Sequence, residues 1–519
     1  MSESRSRPSG ARSQKSGVRS QFHPLTLLLY PYSLSMTVTP RRTHLFQNRR
    51  ELHQFLRPYK QVAQEKKQSQ IVSISVEVNA IDPLVFLQAF AKANQLSFYI
   101  EKREFGQEIY PENGIAIAAI GAVSQLTVSG ETRFAAAKQF VQSTLAKTTV
   151  CGNAHLPLAG PHFFCSFTFF EHSEPQSSFP AATVFLPQWQ VACDQQSHGE
   201  QRCLVVANVM LHATTKLETT VDELYQTWEK IQSIHHTLLM PAIDQRELLK
   251  VCDVVATQHF KQSVRSALAS IQQETFNKIV LAHAVDVVSP LPFDRVASLH
   301  KLRQLYPGCY VVSTSNGRGQ QFISASPERL VSLRNGHLET DALAGSAPRG
   351  QTTCDDARLA NRLLTSAKEL HEHRVVSQFI HQQLAQLGLK PQYSPLRLLQ
   401  LSNIQHLQTP ICAAVTPGIH LLDVVAALHP TPAVAGMPRE IACHQIRHYE
   451  TFERLLYAAP IGWVDHNGNG EFAVGIRSAL IDGRRARLYA GAGIVAGSDP
   501  DRELAEVQLK LQALLQALV

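Results

Sequence analysis

Residues 461–480 read IGWVDHNGNGEFAVGIRSAL and predict two adjacent antiparallel strands. Residues 461–464 and 471–480 are apolar runs of strand length, and residues 465–470 between them contain two Asn-Gly pairs. Asn-Gly supplies the positive φ angles that a tight hairpin turn requires. The stretch therefore indicates an antiparallel hairpin as one unit of the fold.

The residues after the hairpin predict one more strand and a closing helix. Residues 487–490 form a strand-like run, and the GAG sequence at residues 491–493 predicts a turn. The SDP sequence at residues 498–500 supplies an N-cap residue and a proline for the first turn of the last helix.

Strand and helix patterns also alternate through the rest of the chain. Residues 171–202 are rich in Pro, His and Gln and predict surface loops. No repeat of fixed period is found, so we predict an α/β fold of the α+β kind. Strand-like runs occupy residues 71–76, 163–170, 204–209, 279–288 and 310–313. Helical patterns occupy residues 51–67, 219–236, 246–272 and 355–387.

Composition excludes two classes of protein. The chain has 519 residues, of which 44% are hydrophobic and 18% charged. It lacks an uninterrupted apolar run of about 18 residues, so no membrane span is predicted. The net charge of +7 comes largely from arginines in the first 50 residues. Because the remainder is close to neutral, a nucleic-acid-binding face is not expected.

The cysteines and the N-terminus bear on the cellular compartment. The nine cysteines are scattered, odd in number and never form a C-x-x-C pair, which favours reduced thiols in a cytoplasmic protein. Residues 1–40 are rich in Arg and Ser and poor in acids. They are interpreted as a disordered or over-extended N-terminus before Met36 or, as an alternative, as an organellar transit peptide such as a plastid one.

Two helical patterns each carry a pair of glutamates three residues apart. Glu369 and Glu372 lie in the pattern over residues 355–387, and Glu503 and Glu506 lie in the last helix. Since residues three apart share a helix face, two such helices could form an all-oxygen site for Mg²⁺. The spacing alone favours the simpler interpretation that both are ordinary solvated helix faces.

A lysine and a glutamate stand out by their context. Lys278 begins the apolar run over residues 279–282, and a half-buried lysine loses its proton more readily and can act as a base. Glu328 lies at a turn between apolar segments, where burial could keep it protonated as an acid. Taken alone, the context favours the simpler interpretations, a strand-end lysine with a solvated ammonium and an ordinary turn carboxylate.

These residues belong to a series of motifs that resembles the chorismate-utilising enzymes, the family of isochorismate, salicylate, anthranilate and aminodeoxychorismate synthases. The motifs occur in the family's order over residues 251–519, whereas residues 41–250 resemble the family only in general character. The matching segments are KIVLA (278–282), ASPERL (325–330), LAGSAPRG (343–350), NRLL (361–364), HEH (371–373), HPTP (429–432), GIR (475–477) and AGAGIV (490–495).

The resemblance implies a role for each matching residue. Lys278 is implied as the base that activates water for attack at C2 of chorismate, and Glu328 as the acid that protonates the departing C4 hydroxyl. Mg²⁺ is the implied cofactor, with Glu372 and Glu506 as ligands and Glu369 and Glu503 in its surroundings. The implied substrate-binding residues are Ala344, Gly345, Ser346, His406, Tyr457, Arg477, Gly493 and Lys510.

The resemblance also implies the reaction. The ammonia-using relatives lack the lysine seen here as Lys278, so water is the implied nucleophile and the enzyme would be an isomerase that forms isochorismate. Salicylate synthases share this lysine and remain the alternative, although residues 429–436 (HPTPAVAG) are similar to the isochorismate-forming version. A non-catalytic chorismate- or anion-binding regulator is the alternative from another class, and the intact acid, base and glutamates speak against it.

The implied architecture is a single large chorismate-binding domain in which stacked antiparallel sheets are flanked by helices. Residues 41–250 would form the N-terminal part of this catalytic domain, and residues 251–519 would form its core. The expected partner is the small molecule chorismate, without nucleic acid or membrane, in a monomer or weak homodimer. The product would serve menaquinone, phylloquinone, siderophore or salicylate synthesis.

Overall fold

The structure is a computed structural model that describes residues 48–518 except 104–113, 175, 196–200, 235–237, 239–248 and 402–403. The predicted extension at residues 1–40 lies outside this part of the chain. Among the described residues, no helix is long and apolar enough to cross a membrane.

Helices and strands alternate along the described part of the chain. The helices are α1 (Arg49–Lys66), α2 (Pro83–Phe90), α3 (Arg133–Leu145), α4 (Leu217–Gln232), α5 (Thr257–Gln272), α6 (Arg295–Leu305), α7 (Thr353–Thr365), α8 (Ala367–Gln386), α9 (Leu421–Leu428), α10 (Arg439–Tyr449) and α11 (Pro500–Leu515). The first strands are β1 (Gln70–Val78), β2 (Leu96–Lys102), β3 (Gly114–Ile120), β4 (Ser124–Val128), β5 (Thr148–Gly152), β6 (His162–Phe167), β7 (Ala182–Leu186), β8 (Trp189–Gln195), β9 (Gln201–Leu211) and β10 (Lys250–Asp253). They are followed by β11 (Lys278–Val288), β12 (Tyr310–Asn316), β13 (Gln320–Ser326), β14 (Arg329–Arg334), β15 (His337–Pro348), β16 (Gln392–Tyr393), β17 (Arg397–Gln400) and β18 (Ile404–Ala414). The last are β19 (Gly436–Met437), β20 (Pro460–Asp465), β21 (Gly470–Val474), β22 (Ser478–Asp482) and β23 (Arg485–Val495).

The strands form two large sheets that pack on each other. The larger sheet runs β10-β11-β23-β22-β13-β12-β2-β3-β8-β9-β1-β5, with β19 added beside β11. The smaller runs β16-β18-β15-β14-β21-β20-β6-β7-β4, with β17 beside β18. An aromatic core joins them, in which the Phe98 ring of the larger sheet lies 4.8 Å from the Phe164 ring of the smaller. The α+β prediction and the stacked antiparallel sheets implied by the resemblance are confirmed.

Both halves of the chain contribute to the larger sheet. β2, from the N-terminal half, pairs with β12 from the C-terminal half in antiparallel register, with Ser313 opposite Tyr99. Residues 41–250 and 251–519 therefore share one hydrogen-bonded sheet.

The chain crosses between the two sheets several times, and two of these crossings are neighbours. Residues 327–328 lead from β13 in the larger sheet to β14 in the smaller, and residues 475–477 lead back from β21 to β22. The crossings are hydrogen-bonded to each other: Val474 N donates to Glu328 O at 3.1 Å, and Ala325 N donates to Arg477 O at 3.1 Å. The prediction of one strand over residues 471–480 was therefore wrong, because Arg477 adopts a positive φ of 48° that no continuous strand permits.

The predicted single helix over residues 355–387 is two helices. α7 ends and α8 begins at Ser366, whose extended backbone breaks the helix and whose side chain accepts a hydrogen bond from Glu369 N. Serine at the N-cap of a helix satisfies a backbone donor that would otherwise lack a partner. The break fixes the direction in which α8 and its glutamates point.

Three other local predictions were wrong. Residues 491–493 continue β23 instead of turning, because they pair with β11 up to Val495 opposite Lys278. The predicted loops at 171–202 contain β7, β8 and the start of β9, since their apolar residues are buried in the sheets. The predicted helix at 246–272 yields its first part to the exposed strand β10.

The expectation of reduced cysteines throughout is also corrected. Cys193 in β8 and Cys203 in β9 stand directly opposite each other in register and form a disulfide. Their Cα atoms are 4.2 Å apart, slightly closer than is usual for a disulfide. This pairing is not visible in the spacing of the cysteines along the sequence.

Candidate active site

Lys278 is the first residue of β11 and is almost fully buried, with 2% of its surface exposed. Its Nζ donates to Glu372 Oε1 of α8 at 2.6 Å. Gly493 of β23 lies beside both, and a Cβ atom there would be 3.0 Å from Glu372 Oε1 and 3.3 Å from Lys278 Cε. The structure therefore brings together the predicted base, one predicted metal ligand and one predicted substrate-binding glycine.

Glu328 lies at the crossing from β13 to β14 and is 5% exposed. Burial raises the pKa of this carboxyl to about 8, while the nearby Lys278 lowers it and Asp341 raises it. At neutral pH the group is mostly protonated, as a general acid must be. The charge of Lys278 acts on Glu328 directly, so the predicted base and acid face one site.

The four predicted glutamates come from α8 and α11 and face one another. Burial raises the pKa of Glu369, and the nearby charges of Glu372 and Glu506 raise it further. Burial likewise raises the pKa of Glu503, and Glu506 and Glu372 add to the increase. The two helix faces therefore combine into one cluster of negative charge, in contrast to the interpretation of two separate solvated faces.

Lysines balance this cluster in the structure. Glu506 Oε1 lies 2.7 Å from Lys510 Nζ, Glu503 Oε1 lies 3.9 Å from Lys368 Nζ, and Glu372 bonds Lys278. Burial raises the pKa of Glu506, but the charges of Lys510, Lys368 and Lys278 together lower it more, so the net shift is downward. Within the described residues, no group of three His, Cys, Asp or Glu side chains is arranged as a metal site.

A second group of predicted residues surrounds Arg477. Its Nη2 donates to His406 Nε2 at 3.1 Å. His406 stands opposite Ser346 in the pairing of β18 with β15, next to a bulge at Gly345. Burial, followed by the charges of Arg477 and Lys510, holds the pKa of His406 well below its usual value. The imidazole is therefore neutral, and its Nε2 accepts the hydrogen bond from Arg477.

The segment Ala344–Ser346 joins this group to the glutamates. Ser346 N donates to Glu369 Oε2 at 3.3 Å, and Ala344 is buried in the same strand. Gly345 lies beside Glu369 as well, since a Cβ atom there would be 3.2 Å from Glu369 Oε2. One strand therefore contacts both the carboxylate cluster and the arginine side of the site.

Tyr457 and Lys510 meet at Gly491 of β23. Lys510 Nζ donates to Gly491 O at 2.9 Å, and a Cβ atom at this glycine would lie 2.7 Å from Tyr457 Oη. Tyr457 stacks on Tyr489, with ring centroids 5.5 Å apart, and burial raises the pKa of its hydroxyl. Every predicted site residue thus lies in one connected region of the described chain.

Two residues of this region were not predicted. Asp341 is buried in β15, accepts hydrogen bonds from Arg329 and Gln408, and raises the pKa of Glu328. An acidic residue in the largely buried run of β15 was a signal for it. Lys368 pairs with Glu503, and its place directly before Glu369 was the corresponding signal.

Comparison with known proteins gives the same assignment over nearly the whole chain. Residues 56–519 match the family described as chorismate binding enzyme, which extends the resemblance into the N-terminal half. The salicylate biosynthesis isochorismate synthase of Pseudomonas aeruginosa is 32% identical over 463 residues, 86% of this chain and 90% of that protein. Isochorismate synthase MenF of Bacillus subtilis is 30% identical over 475 residues, 88% of this chain and 95% of that protein.

A solved structure agrees with the sequence comparison. MenF, the menaquinone-specific isochorismate synthase from Escherichia coli, superposes with a TM-score of 0.69 at 25% identity, and the match covers 88% of this chain and 99% of that one. The match over residues 56–519 and the two relatives, each at least 30% identical over most of its length, establish the family. The chain belongs to the chorismate binding enzymes.

Proposed function

We propose that this chain is an isochorismate synthase, which converts chorismate to isochorismate by adding water at C2 while the C4 hydroxyl leaves. The observation that carries the proposal is the pair Lys278 and Glu328, a buried amine and a buried carboxyl. Burial raises the pKa of the carboxyl, and the nearby charge of Lys278 lowers it. A protein that only binds chorismate needs neither. The relatives named as isochorismate synthases support the same reaction.

In the proposed reaction the two groups move protons at opposite ends of the substrate. Lys278 must first release Glu372, which now accepts a hydrogen bond from its Nζ, and lose one proton to become a neutral amine. The neutral amine then takes a proton from water as the oxygen attacks C2. Glu328 starts protonated because burial raises its pKa to about 8, and it gives its proton to the leaving C4 oxygen. The two steps leave the net protonation of the site unchanged.

Binding of chorismate requires that both of its carboxylates be neutralised. Arg477 and Tyr457 are proposed to bind one carboxylate, because Arg binds carboxylates bidentately. Glu372 and Glu506, with Glu369 and Glu503, are proposed to hold Mg²⁺, which would bind the other carboxylate and offset one substrate charge. Burial raises the pKa of Glu369 and Glu503, and the charges of neighbouring glutamates raise it further, which supports a cation beside them.

The test is incubation of the purified protein with chorismate and Mg²⁺, followed by chromatography of the products. We expect isochorismate in reversible equilibrium with chorismate and little pyruvate in a lactate-dehydrogenase-coupled assay near neutral pH. Stoichiometric pyruvate with salicylate as the main product would assign the chain to the salicylate synthases. Absence of any turnover, with chorismate binding retained, would favour a regulator.

The compartment and pathway are further parts of the proposal. The seven free cysteines among the described residues fit a cytoplasmic enzyme. The relatives are named for salicylate biosynthesis and for menaquinone, so quinone, siderophore or salicylate synthesis is the proposed destination of the product. Sedimentation of the purified protein would test the proposed monomer or weak homodimer.

A further inference from the structure

Arg454 is one of the largest fully buried side chains among the described residues. It lies between α10 and β20, outside the segments from which site residues were predicted. Its partner is Glu450: Nε donates to Oε2 at 2.8 Å, and Nη2 donates to Oε1 at 2.6 Å. A bidentate ion pair is thus completely removed from water.

The pair grips the backbone beside Lys278. Arg454 Nη2 also donates to Val280 O at 2.8 Å, two residues after Lys278 in β11. Glu450 Oε1 accepts from Ala282 N of the same strand at 2.8 Å. Both ends of the ion pair are therefore bonded to the strand that begins with the proposed base.

The same guanidinium holds a second wall of the site. Its Nη1 donates to Val434 O at 2.9 Å. Val434 belongs to the segment that leads into β19, and β19 pairs with β11 with Met437 opposite Lys278. The arginine therefore fixes residues 434–437 to the first residues of β11.

The turn that carries Tyr457 is built on this arginine. The guanidinium carbon lies 5.7 Å from the centre of the Tyr457 ring, and Tyr457 N donates to Arg454 O at 2.8 Å. Leu455 and Ala458 in this turn have positive φ angles of 51° and 61°. For residues other than glycine this conformation is strained, and it persists only where the surroundings enforce it.

The energetics of the pair point to geometry more than to stability. A buried ion pair loses about as much in desolvation as it gains in attraction, and apolar residues of similar volume would often stabilise the fold equally well. What an apolar pair could not supply are the directed bonds to Val280, Val434 and Ala282.

We propose that Arg454, held by Glu450, is a positioning residue that fixes Tyr457 and the strand of Lys278 relative to each other. This rests on the proposed isochorismate synthase function for the roles of these two residues. Arg454 itself has no contact with the reacting atoms and acts through its neighbours.

The experiment compares Arg454→Lys with a matched surface variant, Arg447→Met. Arg447 also pairs with a glutamate, Glu171 at 2.6 Å, and lies over a phenylalanine ring, Phe170 at 4.3 Å, but its side chain is 49% exposed. For each protein we measure kcat and KM, thermal unfolding, and the Kd of chorismate by calorimetry with Mg²⁺ present. Tyr457→Phe and the double variant Arg454→Lys/Tyr457→Phe complete a mutant cycle.

We expect Arg454→Lys to lower kcat/KM by about 10- to 100-fold, the scale for a small misplacement of reacting groups. Both KM and the Kd of chorismate should rise, and the double variant should bind chorismate more tightly than the product of the single effects predicts. Arg447→Met should match the wild type in KM and Kd. If Arg454→Lys does not fold, Glu450→Gln, which keeps the side-chain size, is judged by the same criteria.

An unchanged Kd with kcat reduced in proportion to the folded fraction, or single effects that simply multiply in the double variant, would overturn the proposal and leave Arg454 a structural residue. Failure of the proposed function is recognised separately, since the wild type would then form no isochorismate. The mutant cycle on chorismate affinity would still decide the role of Arg454 in binding.

Discussion

The site has two regions that differ in how they treat charge. Lys278 and Glu328 lie at strand ends and are 2% and 5% exposed. Glu372 and Glu506 lie on helices, with 15% and 35% of their side chains exposed and a lysine beside each. The pair at the strand ends is buried, whereas Glu372 and Glu506 on the helices are partly exposed to solvent.

The difference follows from the work proposed for each region. An acid and a base need shifted proton affinities, and burial between rigid strands supplies them. A hard cation needs anionic oxygens and keeps some water, and half-buried glutamates on two helices supply these. If this division is correct, changes in the two regions should produce different symptoms.

The largest expected effect is loss of the metal. EDTA should abolish isochorismate formation and Mg²⁺ should restore it, whereas Zn²⁺ should be a poor substitute because the ligands are hard oxygens. Glu506→Gln should raise the Mg²⁺ concentration needed for half-maximal activity. Full activity in a chelated, metal-free preparation would remove the cluster from the mechanism.

Removal of the base should come next. Lys278→Ala should lower turnover by about 10²–10⁴-fold, the usual scale for lost general-base catalysis, with little change in folding. Lys138→Ala is the control, since Lys138 also pairs with a carboxylate, Asp423 at 2.7 Å, outside the site. Equal turnover in the Lys278 and Lys138 variants would contradict the assignment.

The acid should reveal itself in the pH profile. Glu328 acts when protonated, and burial raises its pKa to about 8, so activity should fall about tenfold per pH unit above this pH. Glu328→Gln should be slow and lack this alkaline decline. A wild-type profile that stays flat to pH 9.5 would show that Glu328 is not the proton donor.

The smallest effect tests how the helix positions the cluster. Ser366→Ala removes the N-cap of α8 and should lower the free energy of unfolding by about 1 kcal/mol and increase the Mg²⁺ requirement. Thr352→Ala removes the equivalent cap of α7, whose residues include none of the four glutamates. It should cost similar stability in thermal unfolding but leave the Mg²⁺ requirement unchanged; a matching change in both variants would argue against this positioning role.

The sequence predicted residue types better than their connections. A lysine at the start of an apolar run and glutamates spaced by three residues are visible in single segments, but these patterns alone favour ordinary strand-end and solvated residues. The roles of Lys278 and the glutamates came from the family resemblance. The ion pair between Glu372 and Lys278 joins α8 to β11, and no local sequence pattern predicts this contact.

Local errors had local physical causes. Ser366 was overlooked because the apolar periodicity of residues 355–387 hides a single capping residue. Gly491 and Gly493 predicted a turn, yet they stand in a strand where side chains would collide with Tyr457 and Glu372. Glycine at these positions allows close approach of Tyr457 and Glu372 to the strand. A single sequence does not distinguish a glycine that permits close packing from a glycine that forms a turn.

The two neighbouring crossings at residues 327–328 and 475–477 limit how the site can be changed to accept a different substrate. Glu328 and Arg477 lie on segments that are hydrogen-bonded to each other. The proposed proton donor and the proposed carboxylate-binding arginine therefore keep a fixed distance from each other. A slide of one sheet over the other would carry both together and preserve their spacing. A larger or smaller substrate would therefore have to be accommodated on the opposite side of the site, at α8 and α11. Directed evolution of this scaffold should target residues of these two helices.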